Sequence, residues 1–285
     1  RTSIDIYAKE KTFVLKGSSG YRNAFNDLIP DTATSVVFTD ETMPVSATLI
    51  DVDTDGDGGI VAWMDGTTMK ISTQISGQKV IAAINSSKMF EYKSKLTSID
   101  FSNLNTADVT DMSNMFHRCS ELTSLNLNPL NTSKVINMRY MFSDCSGLTV
   151  LDLSPLGTSK VINMYYMFGG CSKLIELNLS NFNTSQVTDM SWIFSNCKSI
   201  TSLDLSSFDT KNVTSMSYMF RYCTNITSIK VSKSFDTRNV ITMNSMFESC
   251  KSLKKIDFLN LLDTSNVKYM NSMFSGCINL ISVDT

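Results

Sequence analysis

Seven cysteines, Cys119, Cys145, Cys171, Cys197, Cys223, Cys250 and Cys277, are separated by 26, 26, 26, 26, 27 and 27 residues. Each closes a Met-Phe-x-x-Cys or Ile-Phe-x-x-Cys motif, from Met115-Phe116 to Met273-Phe274. One more pair, Met89-Phe90, stands 26 residues upstream, with Lys93 where the cysteine would be. A catalytic site or a single-copy metal site asks for no such period. A repeat array does: a unit this small cannot bury its apolar face alone, so neighbouring units must share one core.

Each unit has two halves. One reads L-x-x-L-x-L, as in "LTSLNL" from Leu122 and "LTVLDL" from Leu148. Its alternation predicts a short strand with one buried face. The other reads V-x-x-M-x-x-M-F-x-x-C, as in Val135, Met138, Met141, Phe142 and Cys145. Offsets of about 3, 6, 7 and 10 share one face of a helix. "NTSKV" or "DTSNV" lies between the halves, and its Thr or Ser is expected to cap the helix. The fold predicted is an α/β leucine-rich-repeat solenoid of seven to eight strand–helix units over residues 81–285, with a degenerate first unit at 81–95. Residues 1–80 do not follow the period. They are expected to form an α/β cap: a helix at "YRNAFNDLI", strands at "TSVVFT" and "KVIAAI", and a hairpin around Asp65-Gly66.

The unit "CSxLTSLDLSxFDTSxVxxMxxMFxxC" resembles the BspA-type leucine-rich-repeat surface proteins of bacteria. The likeness covers residues 81–285, and "GGIVAWMDGTTMKIST" resembles the leader that precedes the repeats in that family. It implies a secreted or wall-attached bacterial protein that adheres to a host matrix or cell-surface protein or glycan. The alternatives are a structural spacer and an accessory module of a larger surface protein or hydrolase. The chain reads as a fragment, with signal and anchor outside it, and as a monomer.

Composition adds exclusions. A net charge of −2 gives no electrostatic reason to expect nucleic acid. No apolar run approaches the ~20 residues of a membrane span. The cysteines are read as a buried apolar ladder and not as disulfides. The reason is that packed helices lie ~8–10 Å apart, beyond the ~7 Å between Cα atoms that a disulfide spans. His117 is the only histidine and is expected at the surface. With no matching Ser or Cys constellation, it offers no triad, and no enzymatic activity is expected.

Two columns are candidate ligand-binding residues. Tyr140, Tyr166, Trp192 and Tyr218 take the same place in four consecutive units, just before the core pair. On a helix that place lies ~150° from the core stripe, facing solvent. The second column, Asp100, Asn126, Asp152, Asn178 and Asp204, continuing to Lys230, Asp257 and Asp284, sits between the inward strand residues and would form a polar ladder. No cofactor is expected, with one reservation. "DVDTDGDGG" places Asp53, Asp55 and Asp57 at positions 1, 3 and 5 of an EF-hand-like loop, but Met64 stands where position 12 should be Glu. The stretch reads as an acidic turn, with a weak calcium site as the alternative.

Overall fold

The structure is a computed structural model that describes residues 11–281. Asp284 of the predicted strand face lies outside the described residues.

The fold departs from the predicted strand–helix unit. Twelve short strands run in chain order: β1 (Ser18–Ser19), β2 (Arg22–Asn23), β3 (Ser35–Thr39), β4 (Val61–Asp65), β5 (Thr68–Ser72), β6 (Val80–Ile81), β7 (Ser98–Asp100), β8 (Leu104–Asn105), β9 (Val150–Asp152), β10 (Glu176–Asn178), β11 (Ser202–Leu205) and β12 (Ser228–Val231). Two single 3₁₀ turns, Asn26–Leu28 and Leu259–Leu261, accompany them. No α-helix forms among the described residues. The expected helix at Tyr21–Ile29 is reduced to the first of these turns.

Backbone hydrogen bonds show what replaces the helix. Along Met138–Leu148 the N–H groups alternate between two jobs. Those of Met141, Ser143, Cys145 and Leu148 close tight turns onto the carbonyls of Met138, Tyr140, Phe142 and Cys145. Those of Met138, Tyr140, Phe142 and Asp144 reach the next unit, onto Asn163, Tyr165, Met167 and Gly169 at 2.7–3.0 Å. A helix would spend all but those of its first turn within the segment. The offsets that suggest a helical face also bring residues to one side of a run of turns.

Asn and Asp side chains select the turns. Asn137 Oδ1 accepts the N–H of Arg139, two residues on, and Asn163, Asp189 and Asp111 do the same for Tyr165, Ser191 and Ser113. Such local bonds compete with helix formation. These residues also mark one continuous line of parallel bridges: Asn85, Asp111, Asn137, Asn163, Asp189, Ser215, Thr242 and Tyr269. Successive units are therefore stacked coils, each hydrogen-bonded to the next.

The threonine of "NTS" does not cap a helix. Thr132, Thr158, Thr184, Thr210 and Thr237 are buried, and each Oγ1 donates to a carbonyl of the following coil at 2.7–3.0 Å. In return, Thr158 and Thr184 accept the N–H of Asn183 and Asp209.

Inside each coil, Val, Met, Met, Phe, Cys and Leu are sealed from solvent; in one unit these are Val161, Met164, Met167, Phe168, Cys171 and Leu174. The phenylalanines form an unbroken stack, Phe90–Phe116–Phe142–Phe168–Phe194–Phe220–Phe247–Phe274. Centroids are 5.4–5.9 Å apart and planes lie within 14° of parallel.

The cysteines sit beside this stack as free thiols, all buried except the half-buried Cys277. Each Sγ donates to the carbonyl of a phenylalanine in the preceding coil, for example Cys171 to Phe142 at 3.1 Å and Cys197 to Phe168 at 3.2 Å. The spacing argument against disulfides rested on packed helices and falls with them, because hydrogen-bonded backbones lie only ~4.8 Å apart. What directs each sulfur is the Phe carbonyl.

The N-terminal region stands where a preceding coil would. The hairpin at Asp65-Gly66 joins β4 to β5, and the sheet runs β4-β5-β3-β7, with Val36 beside Ile99. Two carbonyls that a preceding coil would serve, Ser87 O and Glu91 O, receive side-chain donors instead. Asn23 Nδ2 bonds Ser87 O at 2.8 Å, and Asn26 Nδ2 bonds Lys88 O and Glu91 O. Lys93, in the cysteine's place, bonds Ile29 O at 2.8 Å. Phe25 packs edge-on against Phe90, the first ring of the stack.

Candidate functional site

Each coil turns between two inward residues, both methionines in most coils, and the third residue of that turn has positive φ. The turn from Met138 is closed by Met141 N–H to Met138 O, with Tyr140 at φ 56°. The column Lys88, Asn114, Tyr140, Tyr166, Trp192, Tyr218, Ser245 and Ser272 holds φ between 52° and 63° throughout. Bulky residues adopt this left-handed conformation at a cost of about 1–2 kcal/mol. Polar members at the ends of the column show that the backbone, not the aromatic ring, imposes it.

The four aromatics are half-buried and touch in sequence, unlike the solvent-facing column expected of a helix. Tyr140 and Tyr166 lie 5.3 Å apart, Tyr166 and Trp192 6.0 Å, and Trp192 and Tyr218 stack at 4.1 Å and 20°. Three more rings, which sequence reading missed, extend the row. Tyr165 is 5.4 Å from Tyr140; His117 is 5.9 Å from Tyr140 and 5.2 Å from Tyr92. Burial pushes the Tyr165 and Tyr166 hydroxyls up to about 12.

Arginines cover the faces of these rings. The Arg221 guanidinium lies 5.4 Å from the Trp192 centroid, 5.5 Å from Tyr218 and 4.5 Å from Tyr222. Glu248 holds it in two-point contact at 2.8 and 3.1 Å. Arg139 covers Tyr140 and Arg118 covers Tyr92. A second positive-φ column four residues on, with Tyr92, Arg118, Asp144, Asn196 and Tyr222, supplies several of these groups. That offset from the aromatic column was the available sequence signal.

His117 is buried, not at the surface. The fold also brings it a serine and an aspartate. Nδ1 lies 2.6 Å from Ser143 Oγ and 3.9 Å from Asp144 Oδ2. Ser143 Oγ also lies 3.0 Å from Tyr140 O. Both partners share one nitrogen and Ser143 is sealed, so the set lacks the base–orienter relay of a hydrolytic triad. Burial lowers the His117 pKa, against the pull of Asp144.

The strand-face residues are exposed, but the sheet is broken into pairs, β9 with β10 and β11 with β12. Asp100, Asn126, Asp152, Asn178 and Asp204 each accept the N–H two residues on, at 2.8–3.1 Å. Cross-coil contacts join Asn178 to Asp152 at 3.0 Å and Lys230 to Asp204 at 2.9 Å. Ser206, whose N–H donates to the carboxylate, and the Lys230 ammonium hold the Asp204 carboxyl down to about 2.

In the acidic loop, one oxygen each from Asp53, Asp55 and Asp57 lies within 4.8 Å of the others. The EF-hand likeness stops there, because Met64 belongs to β4 and strand, not helix, follows.

The family model described as Mycoplasma protein of unknown function, DUF285, matches residues 62–173, 149–255 and 225–282. No curated protein matches the chain. Among solved structures, the chain is similar to a leucine-rich repeat protein from Bacteroides ovatus, at 13% identity, covering 86% of this chain and 82% of that one, with a TM-score of 0.36.

Proposed function

Given that the chain belongs to the DUF285 family, matched in three overlapping segments of its array, we propose that it is a non-enzymatic binding module displayed outside a bacterial cell. Its binding site is the row Tyr140, Tyr166, Trp192 and Tyr218, and its partner is a host matrix or cell-surface protein. The observation that carries this reading is the half-buried row of touching aromatics covered by arginines. Tyr, Trp and Arg held in fixed positions are the residues that dominate protein–protein contacts, because they bury large areas and lose little side-chain freedom on binding. A glycan fits less well. Sugars stack on open aromatic faces, and here Trp192 and Tyr218 cover each other while Arg221 lies over both.

The test is saturable binding of the chain to immobilised matrix proteins and, in parallel, to a glycan array. The Trp192→Ser/Tyr218→Ser variant is expected to lose at least about tenfold in affinity for a protein partner, while its thermal transition stays cooperative. Binding that survives this variant moves the site off the row. Binding to glycans alone refutes the choice of partner. No binding to any of them returns the chain to the spacer reading.

A further inference from the structure

We infer that Asp53, Asp55 and Asp57 form a calcium-binding site in the N-terminal region. The three carboxylates converge, with one oxygen from each within 4.8 Å of the others. The independent observation is Asp53. This side chain is 1% exposed, one of its oxygens accepts the Gly59 N–H at 2.9 Å, and the other has no hydrogen-bond partner. A buried carboxylate oxygen without a donor is costly. The carboxylate lies beside those of Asp55 and Asp57. A cation held by this carboxylate supplies the partner that the buried oxygen lacks.

The donors select the ion. All three are hard carboxylate oxygens, with no nitrogen or sulfur among them, which suits calcium or magnesium over zinc. Gly56 and Gly58, at φ 70° and 75°, let the loop curl tightly on itself. Calcium accepts irregular oxygen sets, whereas magnesium demands a near-octahedral shell. With Met64 in place of the bidentate glutamate, affinity falls to the extracellular range, Kd about 10⁻⁴–10⁻³ M.

The loop is also where the first described residues are tied down. Thr12 N–H bonds Asp57 Oδ2 at 2.8 Å, and Lys11 Nζ bonds Gly58 O at 3.1 Å. Gly59 approaches the Thr12 carbonyl so closely that no side chain fits there. An ion at this point therefore fastens the start of the described chain to the sheet that leads into the array.

Calorimetric titration of the chain with calcium chloride, and its melting in about 5 mM calcium against chelator, test this. One site per chain is expected, with a rise in Tm of about 3 °C and no comparable response to magnesium. Asp53→Asn is expected to abolish both responses while melting in chelator at or above the temperature of the unsubstituted chain, since it replaces a buried carboxylate that has an unpartnered oxygen with a neutral amide. A merely structural Asp53 gives the opposite: loss of stability in chelator. The exposed Asp55→Asn variant repeats the test if the first fails to fold, and is expected to weaken calcium binding at least about tenfold. Equal melting in calcium and chelator with no binding heat overturns the site. So does an Asp53→Asn variant that keeps the calcium response.

Discussion

Raising the pH from 8 to about 10.5 is expected to unfold the array in the presence of reductant. Burial pushes Cys119, Cys171 and Cys223 up to about 12, and Cys145, Cys197 and Cys250 also well above the ordinary thiol value. In the unfolded chain these thiols ionise near pH 8.5. Above that pH the folded state keeps protons that the unfolded state has lost, so stability falls as pH rises; below it the thiols contribute no pH dependence. Each thiol adds a slope of up to ~1.4 kcal/mol per pH unit, and six acting together approach ~8 kcal/mol per pH unit. That exceeds what a folded stability of about 5–15 kcal/mol withstands for long. Tyr165 and Tyr166 act in the same direction at higher pH. Urea midpoints measured across pH 7–10.5 give the slope. The Cys145→Ala/Cys171→Ala variant should be less stable at pH 7 yet lose stability less steeply above pH 9. Stability that stays flat to pH 10.5 would show that the thiols are not sealed.

Phe168→Ala is expected to cost about 4 kcal/mol, and Phe274→Ala about 1 kcal/mol. Phe168 has ring neighbours on both sides, at 5.9 Å to Phe142 and 5.7 Å to Phe194, and is fully buried. Phe274 is half-buried and stacks on Phe247. In an array where each unit touches only its neighbours, removing a central ring breaks two interfaces. The central loss should also split the unfolding transition, because the coils on either side keep their own cores. Urea titrations of the two variants measure both effects. Equal losses, or a single unbroken transition with a small loss at Phe168, would mean that the stack carries little of the cohesion.

Much of this was legible in the sequence. The period, the inward set of Val, Met, Phe and Cys, the Asp65-Gly66 hairpin and the strand at Ser35–Thr39 follow from apolar spacing and turn chemistry. The absence of a helix was not legible from apolar spacing, because Val135, Met138, Met141 and Phe142 fall on one side of a helix and equally on one side of a run of turns. The deciding residues are polar. Asn137 and its equivalents divert an N–H two residues on, and the positive-φ positions at Tyr140 and Asp144 bend the chain out of any helix. Read as surface filler, they look uninformative. The same oversight misplaced His117, whose burial comes from Ser143 and Tyr140 one coil away, at a separation that local patterns do not register. The aromatic column was visible as a column, but its mutual stacking and its arginine cover depend on coil-to-coil spacing, which only the fold supplies.

Far-UV circular dichroism of the folded chain tests the stacked-coil architecture most directly, since the aromatic row and the thiol ladder exist only if the units are coils of turns and short strands. The spectrum is expected to lack the paired helical minima and to lose its weak strand signal cooperatively on unfolding. A helical content of about a third, as strand–helix units would give, would contradict the coil architecture and with it the positions assigned to Tyr140, Tyr166, Trp192 and Tyr218.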